Sequence, residues 1–218
     1  MKATNDRAFK EWAVVVRAME RGETCLLIRK GGIFEEGGDF HVNDPEFHLY
    51  PNHTHQNPYQ LQERAHRALV ESDSEEPPAG MIRISSYAAV AEVFTIPDEA
   101  ALARLSDEHL WTEEYVRDRL HYKPDNPLFG IVLRVYRLPE EVGIPYHSSY
   151  SGCTSWITLQ APIATAGAVP ALDDAAFTER LNRIRALRAG RYASGGRMSA
   201  TEISASGAAR GEMLSPSV

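Results

Sequence analysis

The sequence predicts an α+β fold, a mixed and mostly antiparallel sheet with flanking helices. Two observations carry this. Short apolar runs of strand length are bounded by glycine or proline, at residues 24–29, 46–50, 81–96, 128–138 and 153–159. Between and around them, apolar residues recur at helical spacing.

The first helix is expected over residues 7–21. Phe9, Trp12, Ala13, Val16 and Met19 fall at offsets 0, 3, 4, 7 and 10, with Asp6 to cap the start and Gly22 to end it. The β-branched run at 13–16 leaves a strand as the alternative. Trp12, on this stripe, is expected in the core. The run TCLLIR at 24–29 reads as a buried strand between Gly22 and the Gly31-Gly32 pair. The glycine-rich stretch that follows is expected to form an ordered loop or hairpin. EFHLY at 46–50 reads as the next strand, stopped by Pro51.

Residues 59–71 carry a helical face of Leu61, Ala65, Ala68 and Leu69. The acidic, proline-rich stretch 72–80 reads as a surface linker and a candidate internal boundary. Residues 81–96 read as one long or bent strand, and two short helices are expected near 98–105 and 112–121. The clearest strand is 128–138, and 153–159 reads as the last. Residues 174–189 form a helix capped by Asp173 or Asp174, on the stripe of Phe177, Leu181, Ile184 and Leu187. The expected organisation is one globular domain over 7–189 and a disordered tail over 190–218.

A formal net charge of -7 argues against a protein that binds nucleic acid over its whole surface, though not against a local basic face. Neither a signal peptide nor an apolar run of the about 20 residues needed to span a bilayer is apparent. With Cys25 and Cys153 in apolar runs and no zinc spacing, a soluble protein of the reducing cytoplasm is expected, away from membranes.

The segments Lys10–Trp12 (KEW), Leu26–Ile33 (LLIRKGGI), Gly37–Phe40, Phe47–Pro51 (FHLYP) and His55–Gln56 resemble the family known as domain of unknown function 1802. RVYRLPEEVGIPY and YSGCTSWITL in the second half also resemble it, so the likeness spans about residues 8–160. The family has no established activity. The resemblance implies a place in restriction–modification, with a restriction-system protein as a partner. The order of elements is similar, more distantly, to PUA-like β-barrels of the ASCH and EVE kind. That likeness offers a barrel as the alternative sheet arrangement, and RNA or modified-base recognition as a role.

Several groups of residues can carry such a role. Arg29 and Lys30 beside Gly31 and Gly32 can meet phosphate, with backbone N–H groups assisting. Tyr50, His55, Gln56 and Trp156 can contact a base, and Arg134 and Arg137 can add charge. Tyr87, Trp111, Tyr136, Tyr146 and Tyr150 are further stacking candidates, and the hydroxyl-rich turn 148–153 is a candidate pocket wall. Each aromatic also reads as core. Arg180, Arg183, Arg185, Arg188, Arg191 and Arg197 make a basic C-terminal end, either a foot for nucleic acid or a solvated helix face.

Glu35, Glu36 and Asp39, and His53 and His55, which share a side if they lie on a strand, are candidate metal ligands. His41 and His48 belong to the same histidine-rich stretch. The glycine spacings match neither a P-loop nor a dinucleotide fingerprint, and no cofactor is expected. The sequence therefore favours a DNA- or RNA-binding or modified-base-binding module acting by recognition. A protein-interaction scaffold and a metal-dependent nuclease are the rivals.

Overall fold

The structure is a computed structural model that describes residues 2–30, 44–152 and 154–190. In order come β1 (Thr4–Trp12), α1 (Ala13–Glu20), β2 (Leu26–Lys30), β3 (Glu46–Asn52), α2 (Glu63–Ser74) and β4 (Met81–Ile96). Then follow α3 (Glu99–Arg104), α4 (Glu113–His121), β5 (Leu128–Pro145), β6 (Trp156–Ala164), β7 (Val169–Pro170) and α5 (Asp174–Arg188). The strands form one sheet in the order β2-β5-β4-β3-β1-β6, with β7 paired to β5. Among the described residues only β1 and β3 run parallel, so the α+β, mostly antiparallel sheet is the arrangement observed. No helix among the described residues is long and apolar enough to cross a membrane.

Four expectations are corrected. Residues 7–21 are not one helix: β1 runs to Trp12, and the β-branched run opens α1. The pattern changes period at this point. Ala8 and Phe9 bury on opposite faces of β1, whereas every residue of α1 except Arg17 is buried. Burial on that scale overrides the modest helix cost of valine, well under about 1 kcal/mol per residue. Asp6 lies within the strand and caps nothing, but Gly22 does follow the helix end, at φ 70°.

Pro51 does not stop β3. It pairs with Glu11 on β1, and β4 pairs with β3 only over Glu46–His48, so the missing N–H faces no ladder. The start of the expected linker is helical, because α2 continues to Ser74. Residues 75–80 then lead into β4. Finally, β5 extends to Pro145, the last long strand starts at Trp156, and β7 is a short addition. The helices read at 98–105, 112–121 and 174–189 and the strand at 81–96 are observed near those positions. Caps fix the helix starts: Asp98, Thr112 and Asp173 accept from the backbone N–H of Ala101, Tyr115 and Ala176.

Alternation along β1 and β3 gives the sheet two packed faces. Phe9, Phe47 and Leu49 face the main core with α1–α5, while Ala8, Tyr50 and Tyr87 face a smaller core with Tyr150, Ile157 and Leu159. Each fully buried side chain of this kind contributes about 1.5–3 kcal/mol.

The sheet is rolled. In a flat sheet β2 and β1, four places apart in the order, would lie about 19 Å from each other. Instead Arg29 of β2 donates to the Lys10 carbonyl at 2.6 Å and lies 3.0 Å from the Glu11 carboxylate, both on β1. The roll stops short of a barrel, since no ladder joins the edge strands β2 and β6 among the described residues.

Gly130 sits in the middle of the sheet, paired with Ile28 on one side and Phe94 on the other. A Cβ there would lie 2.4 Å from the Phe94 ring. Gly130→Ala is therefore expected to cost about 1–3 kcal/mol through overpacking. A thermal melt checks this by a fall in Tm of about 3–10 °C, since the sheet offers the ring little room to retreat.

Candidate binding cleft

The unclosed seam between β1 and β2 opens into a cleft of about 810 Å³. Its floor is the end of β1, where Lys10, Glu11 and Trp12 all line the cavity, together with Ile28, Arg29 and Lys30 of β2. One wall comes from α4 and the residue before its cap: Trp111, Tyr115 and Arg119. The other comes from Tyr50, Tyr146, Tyr150 and the turn that follows.

The first wall is a row of aromatic rings that begins at Trp12 of the floor. Trp12 and Trp111 lie edge to face at 4.9 Å, and Trp111 and Tyr115 are tilted at 4.9 Å. Arg119 ends the row, its guanidinium 5.2 Å from the Tyr115 ring and its Nη2 donating to the Tyr115 hydroxyl at 2.7 Å. Trp111 is held in place by its backbone. Leu61 bridges to it, and His109 Nδ1 accepts from its N–H at 3.2 Å.

In the second wall Tyr150 contacts both Tyr50, at 6.0 Å, and Tyr146, at 6.3 Å, between ring centroids. Burial, with the neighbouring phenols Tyr146 and Tyr150, pushes the Tyr50 hydroxyl up to about 12. Lys10 ties this wall to the floor, donating to the Tyr150 and Gly152 carbonyls at 2.6 and 3.1 Å. His55 stands exposed at the rim with φ 66°, a left-handed conformation rare outside glycine and asparagine. Such positions concentrate at ligand sites.

The floor is an ion pair. The Glu11 side chain is 4% exposed; it accepts from the Trp12 N–H at 2.8 Å and faces Arg29. Arg29 lies over the Phe9 ring at 4.6 Å, and its Nε is buried with no acceptor among the described residues. A buried donor left unpaired costs about 1–3 kcal/mol, and a ligand acceptor would relieve that. Lys30 donates to the Leu120 carbonyl at 2.6 Å, and desolvation holds its ammonium below the ordinary lysine value.

Of the residues singled out from the sequence, the cleft gathers Arg29, Lys30, Tyr50, His55, Trp111, Tyr146 and Tyr150, with Ser151 and Gly152 of the hydroxyl-rich turn. Gln56 works elsewhere: it accepts from the Val14 N–H at the start of α1 and donates to Asp73. Trp156 packs edge to face on Phe9 and Phe47, at 4.9 Å each. Arg134 binds Asp174 at 2.7 Å and lies over Phe177, fastening α5 to the sheet. Arg137 is exposed beside β7, away from the cleft.

The arginines of α5 are likewise engaged. Arg180 and Arg183 meet the buried Glu108, and Arg185 and Arg188 meet Glu92. His53 and His55 line different concavities, because the chain reverses its hand at His55. No three metal-ligating side chains converge among the described residues. Gly31, Gly32, Glu35, Glu36, Asp39, His41, Cys153, Arg191 and Arg197 lie outside the described residues. Cys25 is buried, and that burial pushes its thiol up to about 12, well above the range of a nucleophile.

Sequence reasoning missed Lys10, Glu11, Tyr115 and Arg119; Trp12 packs against the main core as expected and also lines the cleft. The KEW triplet was the available signal, hidden by reading residues 7–21 as one helix.

A family model described as "Domain of unknown function (DUF1802)" matches residues 8–183, which hold every side chain of the cleft described above. No curated protein matches the chain significantly. Two solved structures of mutant forms of ZmASCH from Zymomonas mobilis are similar. One is 10% identical with a TM-score of 0.40, covering 81% of this chain and 95% of that chain. The other is 11% identical with a TM-score of 0.38, covering 84% and 97%.

Two outcomes follow from the floor and its support. Glu11→Gln removes the counter-charge of a mostly buried arginine and is expected to cost about 1–3 kcal/mol, read by urea denaturation. His109 is buried, and desolvation followed by the nearby Arg64 lowers it to about 4, so it folds neutral. Its contribution is fully present above the unfolded histidine value of about 6.5 and is lost as pH falls from there toward 4. Denaturation at pH 7 and at pH 4.5 is expected to show wild type losing more stability on acidification than His109→Asn, which keeps an acceptor for Trp111.

Proposed function

The chain belongs to the DUF1802 family, domains of unknown function, and from that premise we propose that it is a recognition module for nucleic acid or a modified base. A single flat ring would sit in the cleft between the aromatic walls. The observation that carries this reading is the pairing of two aromatic walls with a charged, hydrogen-bonding floor in a cavity of about 810 Å³. That volume falls within the about 300–1,000 Å³ range of small-ligand sites. A nucleobase matches the chemistry in both directions. Its faces stack on aromatic rings, each stacked base contributing about 1–3 kcal/mol. Its edge offers N–H donors to the Glu11 carboxylate and carbonyl or ring-nitrogen acceptors to cationic donors.

Recognition is favoured over chemistry because the charges of the floor are engaged within the protein, the Arg29 Nε alone among its buried groups being left without an acceptor among the described residues. Glu11 neutralises Arg29, and Lys10 and Lys30 brace backbone carbonyls. A role in restriction–modification or RNA metabolism belongs to the same reading, which takes its ligand from DNA or RNA with unstacked or extruded bases.

The test is a titration followed by tryptophan fluorescence, because Trp12 and Trp111 line the cleft. Single-stranded DNA and RNA, structured RNA, and plain and methylated duplex DNA form the panel. Quenching that saturates with one class, and an affinity weakened about tenfold or more in Tyr115→Ala, is the expected result. Absence of quenching across the panel at low salt would leave a protein-interaction scaffold as the better reading. Cleavage in Mg²⁺ would favour a nuclease.

A further inference from the structure

We infer that the cleft takes one nucleotide at a time, its base between the aromatic walls and its single phosphate on Lys30 and Arg119; this deepens the base-binding reading and rests on it. The inference comes from how the cations are engaged. A protein that tracks a polyanion needs a stripe of uncommitted positive charge. The basic face that could supply one, on α5, is tied to Glu92 and Glu108. Arg134 is tied to Asp174 and Arg7 to Asp44. The net charge of -7 repels a long polyanion further.

Other cations without a carboxylate partner among the described residues, such as Arg137, line no cavity with the aromatic walls, whereas the cleft groups two of them. Lys30 bonds only a carbonyl, and Arg119 only a phenol hydroxyl, so neither has a carboxylate partner among the described residues. Both line the same cavity as the aromatic walls. Arg119 is exposed, and Lys30 is partly so. Two cations beside one base-sized slot suit one phosphate group. Stacking then supplies most of the affinity and the phosphate supplies the orientation.

The experiment measures binding of the full chain to the four ribonucleoside monophosphates, the matching nucleosides, and a short single-stranded RNA, each over a range of salt. Three results are expected. At least one monophosphate binds within about threefold of the RNA. Its nucleoside binds about tenfold more weakly or worse. The plot of log affinity against log salt for the RNA has a slope of about -0.7, the value for one neutralised phosphate on a single strand. Lys30→Gln and Arg119→Gln should each shrink that slope by about half. Both sites are at the surface, and a thermal melt of each variant verifies folding.

RNA binding without monophosphate binding, or a slope steeper than about -3, would overturn the one-nucleotide inference while leaving base recognition standing. A nucleoside that binds as tightly as its monophosphate would overturn the assignment of phosphate to Lys30 and Arg119. If nothing in the panel binds, both readings fall together.

Discussion

The contact between Arg29 and β1 is the constraint from which the rest of the architecture follows. A sheet in the order β2-β5-β4-β3-β1-β6 would otherwise leave β2 far from β1. The guanidinium closes that distance with one backbone hydrogen bond, one ion pair and one ring contact. Because the bridge is a side chain and not a ladder, the seam is pinned at a point and open beyond it. An arginine suits this work: its planar fork donates in several directions and stacks on an apolar ring. The cost is a buried carboxylate, tolerable because Glu11 is also hydrogen-bonded by the main chain.

Most of the fold was legible in the sequence because its strands and helices bury faces of regular period. The strand at 81–96 and the helices after it needed only local pattern and capping residues. The failure at residues 7–21 has a definite cause. Phe9, Trp12, Ala13, Val16 and Met19 satisfy a helical stripe by coincidence, since the first two belong to a strand and the others to the helix that continues it. With that boundary misplaced, Lys10 and Glu11 are not set on the strand end that carries them to the cleft.

The cleft was legible only in part for a related reason. Composition identifies residues able to stack or bind phosphate, but not those already spent on the scaffold. Gln56, Trp156 and Arg134 have the right chemistry and hold α1, the core and α5 in place. Tyr115 and Arg119 have the same chemistry and reach the cleft because they lie one turn apart on the α4 helix that Thr112 caps. Which arginine is structural and which is available depends on contacts across 40 to more than 90 positions of chain, as in Arg134–Asp174 and Arg188–Glu92.

The direct junction of β1 and α1 bears on how such a site can diverge. Lys10, Glu11 and Trp12 are consecutive, so wall anchor, counter-ion and stacking ring are inherited as one block. Losing one residue from β1 would turn its remaining side chains to the opposite faces of the sheet and move all three at once. The outer wall has no such linkage, since Tyr115 and Arg119 sit one helical turn apart on α4 and can change singly. Lineages that share this floor can therefore reshape the outer wall of the cleft through α4 alone, while the strand beneath stays fixed.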